Sequence, residues 1–233
     1  MQLNQLIRSL WADLLPTADL DYAVIVREAD QQHAIKVVQF SLADLAQQSI
    51  MLQPRDIVLV FHHDNNTYQR HVLNAHIRKQ LAPQLTALQL NAALVGDISA
   101  RAFDKIRLAD ALGTSDIAAR TDLKPADVES LLQAQTTQLL SNLFSDNELL
   151  ALTPHLSRTE LLFPVLQRLK QQSSNQQDIA VVSVSGDVKV PGEYPLTENA
   201  GVSQLLAAAG GATASAYLSR AELSRFIDHN NAV

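Results

Sequence analysis

The feature that most constrains this chain is an ordered run near its end, VSVSGDVKVPGEYPLTENAGVSQLLAAAGGATASAYLSRAELSR at residues 182–225. Ile179–Val184 and Asp187–Val190 read as strands on either side of Gly186, which suits a bulge or a close backbone approach. Pro191-Gly192 is a turn signal. Tyr194 is placed to cover the edge of a core, and Pro195 has no N–H with which to extend a ladder. Residues 201–209 form a short helix that packs through Val202, Leu205 and Leu206. Gly210-Gly211 ends it, because glycine takes a left-handed cap at little cost. Ala221–Ile227 follows as another strand. The order is hairpin, short helix, strand, and both Gly192 and Gly210 stand where the backbone needs freedom.

The start of the chain carries a related order. MQLNQLIRSLWADLL has apolar residues at Leu3, Leu6, Ile7, Leu10 and Leu14, the spacing of one helix face. The strand Tyr22–Glu28 comes next, then a polar break at Asp30–Gln32 and the strand Ala34–Phe40. A helical-looking SLADLAQQ leads to a turn at Gln53–Asp56 and the strand Ile57–Phe61. Asn4-Gln5-Leu6-Ile7 parallels Ser203-Gln204-Leu205-Leu206, and Ala23 to Arg27 parallels Ala221 to Arg225. Two copies of one module would give this pattern, the first lacking its opening hairpin and the last lacking its closing strands.

Between the ends, helical spacing dominates. Lys124–Phe144 is a long amphipathic segment with Pro125 in its first turn, where a missing N–H costs nothing. Ser157 and Glu160 have capping-box spacing ahead of an apolar stretch. Pro164 within that stretch predicts a kink or a late start. The polar run Gln171–Asp178 reads as a linker.

The run at 182–225 resembles the SLBB (soluble-ligand-binding β-grasp) domain of Wza-type polysaccharide-export proteins. The residues that carry the resemblance are Gly186, Val188, Pro191, Gly192, Tyr194, Pro195, Leu196, Ala209, Gly210, Gly211 and Arg225. Residues 1–62 resemble the later part of the same module, with Leu52, Pro54, Arg55 and Asp56 forming the turn before the last strand. The resemblance implies an α+β fold with β-grasp elements at both ends joined by a helical insertion. The corresponding divisions are 1–62, 63–178 and 179–233. It also implies a periplasmic place, as a fragment of an outer-membrane-associated protein, and a part in exporting capsule or exopolysaccharide. The partners it implies are other copies of the parent protein in a ring or swapped oligomer, inner-membrane export machinery, and the polysaccharide itself. Arg27 and Arg225 end matching strands and are candidates for a ligand contact or an inter-module ion pair, against the plainer reading of solvated strand ends.

Composition removes several other classes. The net charge of −6 is unfavourable for nucleic-acid binding, since phosphates repel it. The helix-turn-helix-like stretch at 108–133 carries more acidic than basic residues, so no nucleic-acid partner is expected. With no cysteine, disulfides and thiolate sites are excluded. No segment reaches the roughly 18 apolar residues that span a bilayer. The N-terminus has no basic region followed by a small-residue cleavage site, so the chain is expected to begin inside folded structure. His62-His63 reads as a solvated loop, and His71 and His76 miss the spacing for paired helix ligands. No catalytic residues, metal or cofactor are assigned. The reading is a non-catalytic assembly and translocation scaffold, with a carbohydrate-binding module as the alternative and a glycan-processing enzyme as a remote third. One strand pairing is also expected, between Ile179–Val190 and strands of residues 22–61, within a chain or by swapping.

Overall fold

The structure, a computed structural model, describes residues 1–29, 34–63, 137–145, 147–173, 180–197, 200–217 and 221–224. The architecture is α+β. It is organised by a three-stranded antiparallel sheet in which β1 (Ala18–Glu28) lies between β2 (Ile35–Phe40) and β3 (Ile57–His62). The unbroken apolar run in β1 has a direct cause: the sheet is covered on both faces. Tyr22, Val24 and Val26 point into one core together with Val37, Leu59 and Phe61. Ala23 and Ile25 point into the other with Leu3, Phe40, Leu42 and Leu45.

The smaller core is closed by the start of the chain. One continuous helix is expected there, but the structure has two short helices, α1 (Leu3–Leu6) and α2 (Leu10–Asp13). The Asp13 carboxylate explains the break. It accepts the N–H groups of Arg8 (2.8 Å) and Ser9 (2.9 Å), which a continuous helix would bond internally. The bond from Ser9, then that from Arg8, holds this carboxyl below its ordinary range. Leu3 is fully buried, whereas Trp11 is 93% exposed. SLADLAQQ forms turns instead of a helix, with Leu45 N–H bonded to the Leu42 carbonyl.

The larger core lies between the sheet and α4 (Arg158–Ser173), which follows α3 (Asn147–Leu150) and a 3-10 turn at Thr153–His155. The capping box forms as its spacing predicts. Glu160 accepts the Ser157 N–H (2.7 Å), and the Ser157 hydroxyl accepts the Glu160 N–H (3.3 Å). Pro164 lies inside the continuous helix, so a late start is not used. Arg158, Leu161, Leu162, Val165 and Leu169 share the buried face.

The C-terminal unit is a hairpin of β4 (Val181–Val184) and β5 (Gly192–Pro195), then α5 (Val202–Ala208). Three local expectations change here. Val184 pairs with Gly192, so Pro191-Gly192 enters a strand and the reversal is the wider segment before it, with Gly186 at φ 101°. Asp187–Val190 is not a regular strand. It binds the residues after α5 through Lys189 N–H to the Gly211 carbonyl, Val190 N–H to the Ala209 carbonyl and a Val188–Ala212 bridge. Residues 221–224 lie in no ladder.

The expected pairing of Ile179–Val190 with strands of 22–61 does not form within the chain among the described residues, where β4 pairs with β5. The two ends meet through side chains instead. The hairpin lies on α4, and Tyr194 meets Tyr22 edge-on at 6.2 Å between ring centroids, while Tyr22 stacks on Phe61 at 5.0 Å. Aromatic contacts of this kind add about 0.5–1.5 kcal/mol beyond their buried area. The helix-turn-helix-like stretch, His71, His76 and most of the expected helical insertion lie outside the described residues.

Candidate functional site

The junction of the three parts is built on Arg158. Its side chain is 0% exposed and its guanidinium reaches three groups from distant parts of the chain. It pairs with the Asp19 carboxylate, donates to the His62 carbonyl (2.7 Å), and donates to the Ala208 carbonyl at the end of α5. Its Cζ lies 5.3 Å from the Tyr22 ring centroid and 5.5 Å from that of Phe61. A buried cation needs such partners, because desolvation is costly and only good geometry offsets it.

Asp19 can serve because β1 is irregular there. The ladder with β3 shifts register between Ala18 and Ala23. In that bulge one Asp19 oxygen accepts the N–H groups of Asp21 (2.9 Å) and Tyr22 (3.2 Å), leaving the other for Arg158. Sequence reasoning passed over both residues. A signal was present: Arg158 falls on the same helical face as Leu161, Leu162 and Val165, where a cation requires a buried partner.

The motif residues surround this junction. Gly210 (φ 75°) and Gly211 (φ 84°) cap α5 in left-handed backbone, as expected from the double glycine. An added Cβ at Gly210 would come within 3.3 Å of Lys189 Cβ and 3.5 Å of the His63 carbonyl oxygen. Gly192 is different: it has no positive φ, and a Cβ there would meet nothing within 4 Å. Tyr194 is buried, and its hydroxyl donates to the Val190 carbonyl. Burial pushes that phenol up to about 12, so it stays a donor. Burial also raises the Tyr22 phenol, whose hydroxyl has no hydrogen-bond partner. Pro195 pairs with Val181 at a position where its missing N–H is not needed by β4.

Arg27 lies at the end of β1. It donates to both Asp56 oxygens (2.9 and 2.7 Å) and to the Met51 carbonyl (2.9 Å), tying the strand to the turn before β3. Arg225 lies outside the described residues. His62 is not in a solvated loop. It is buried in β3, with Nδ1 2.8 Å from the Thr17 hydroxyl and Nε2 3.1 Å from the Pro154 carbonyl. Among the described residues no group of acidic and histidine side chains could hold a metal. No described helix is long and apolar enough to cross a membrane.

A groove of about 770 Å³ separates β2 from α5. Its walls include the polar side chains of Asp21, Gln39, Ser41, Asp44, Thr197 and Gln204. Gln39 crosses it, donating to the Gln204 carbonyl at 3.0 Å. Amide, hydroxyl and carboxylate groups on both walls can bond a hydroxyl-rich ligand.

No curated protein matches the chain, and no solved structure does. Residues 181–232 match the family model described as the SLBB domain, so the resemblance carried by the hairpin, the short helix and its double-glycine cap holds for this C-terminal unit.

Proposed function

We propose that this chain is a non-catalytic periplasmic module of a polysaccharide-export protein, acting as an assembly and translocation scaffold for capsule or exopolysaccharide. The observation that carries this reading is the SLBB match at residues 181–232. The way that unit is built into the larger core fits it: Arg158 ties α5 to β1 and β3, so the unit is held rigidly against the rest of the chain. A rigid composite is what a load-bearing ring component needs. Residues 1–62 are read as a second copy of the module on the strength of the internal repeat. The parent protein is taken to be outer-membrane-associated, working with other copies of itself and with inner-membrane export machinery.

The test is replacement of the native gene by one lacking residues 181–224. The expected result is loss of surface polysaccharide with polymer retained inside the cell. Undiminished surface polymer would refute the scaffold. Incubating the purified chain with the polymer should leave polymer length unchanged; shortening would instead favour a glycan-processing enzyme.

The groove between β2 and α5 favours a second reading, in which the chain also contacts the exported glycan. Titration with the isolated polymer followed by NMR tests it. Saturable shifts at Gln39 and Gln204 that vanish in Gln39→Ala support glycan contact, and their absence leaves the scaffold alone.

A further inference from the structure

One edge of β2 is paired with β1, and the other faces the groove below α5. Ala29 N–H bonds the Ala34 carbonyl, so the even residues of β2 face β1, and Ile35, Val37 and Gln39 turn their backbone groups outward. The Gln172 carboxamide accepts the Ile35 N–H (2.8 Å) and donates to the Ile35 carbonyl (3.0 Å). A residue of an added antiparallel strand would make the same exchange, so Gln172 stands in for a peptide at this end of the edge. The outward backbone groups of Val37 and Gln39 have no hydrogen-bond partner among the described residues.

Val37 and Gln39 lie at the back of the groove, and the two faces of the sheet supply its lips. On the face of Val37 the larger core continues into Ala208 and Ala209, and α5 lends Leu206 and Ala207 to the groove. On the face of Phe40 the smaller core continues into Leu42 and Leu45, and this side lends Asp21, Lys36 and Asp44. None of these three charges is in an ion pair among the described residues, and two carboxylates outweigh one ammonium. One lip is therefore apolar and the other acidic. The β3 edge is also open at Val58 and Val60, but its groove is about 330 Å³ against about 770 Å³ here. Its next outward carbonyl, that of His62, is held by Arg158.

We infer that the groove between β2 and α5 takes an extended peptide segment of a partner protein, added to β2 as a further strand, with apolar residues toward α5 and basic residues toward Asp21 and Asp44. This rests on the scaffold reading and gives the chemistry of a partner that the scaffold holds. Side chains alternate between the two faces of a strand, so a segment that alternates apolar and basic residues meets both lips. Main-chain bonds to Val37 and Gln39 supply affinity, and the lips supply selection. Residues directly opposite share a face, so the apolar residues are the ones that exchange hydrogen bonds with Val37 and Gln39.

The test is an NMR titration of the whole purified chain with two acetylated, amidated peptides, Val-Lys-Val-Lys-Val and Val-Glu-Val-Glu-Val. The lysine peptide should give saturable shifts at the backbone amides of Val37 and Gln39. The glutamate peptide should bind at least about tenfold more weakly. Methylating the central valine nitrogen removes a ladder donor and should weaken the lysine peptide by about tenfold. Asp44 is exposed, so Asp44→Lys leaves both cores intact and should turn the preference toward the glutamate peptide. Equal binding of the two peptides, indifference to the methyl group, or no saturable shift would each overturn the inference. Isolated polymer that shifts the same two amides when neither peptide does would give the groove to the glycan instead. The gene-replacement test of the scaffold stands apart from all of these results.

Discussion

Arg158 on α4 pairs with Asp19 in the bulge of β1, and the Arg158 side chain is wholly buried. The pair joins residues far apart in the chain, and the same guanidinium holds the α5 terminus through Ala208. Removing Arg158 leaves Asp19 as a buried, uncompensated charge. Arg158→Met is expected to destabilise the chain by about 3–5 kcal/mol, measured by urea unfolding. Arg158→Lys should rescue little, since one ammonium cannot reproduce the planar fork that serves three partners. Arg158→Met combined with Asp19→Asn should be less unstable than the sum of the two changes, because the orphaned charge is gone.

Tyr22 and Tyr194 touch one another but differ at the hydroxyl. Tyr22→Phe removes a buried hydroxyl that lacks a partner, so stability is expected to stay level or rise. Tyr194→Phe removes the bond to the Val190 carbonyl and should cost about 1 kcal/mol. Thermal melts of the two variants side by side check the contrast; equal effects would contradict it.

The glycine positions separate in the same way. Gly210→Ala forces a side chain into left-handed backbone beside Lys189 and His63, and should cost about 1–3 kcal/mol. Gly192→Ala has ordinary backbone and open space, and should change stability by no more than about 0.5 kcal/mol. Urea midpoints of both variants decide this.

Acid should weaken the turn at the end of β1. Burial works against the Asp56 carboxylate, but the hydrogen bonds from Arg27 and the Gln53 N–H, with the Arg27 charge, outweigh it and hold its pKa below 3.8. A folded-state value depressed in this way gives stability that is present above the unfolded value and lost as pH falls through the folded one. Asp56→Asn should therefore be less stable than the parent by about 1–3 kcal/mol at neutral pH, because it weakens charge-assisted hydrogen bonds to a side chain that is only 2% exposed. That difference should shrink as pH drops below about 4. A difference constant from pH 7 to pH 3 would show that the carboxylate charge plays no part.

Local chemistry was legible in the sequence. The Ser157–Glu160 box, the Gly210-Gly211 cap, the strand runs of β1 and β3 and the apolar stripe of α4 depend on contacts within a few residues or on simple periodicity. The α+β class and the SLBB-type order of the C-terminal unit followed from those elements. What joins them did not follow. Whether a helix persists from Leu3 to Leu14 depends on where the Asp13 carboxylate turns. Whether the C-terminal hairpin enters the main sheet or lies on α4 depends on which long-range packing wins. Periodicity marks which side of a strand is apolar and not which partner covers it, so it does not distinguish the alternatives. Arg158 decided the matter in three dimensions, because a buried cation must find its acceptors wherever the chain brings them, and here they come from β1, β3 and α5.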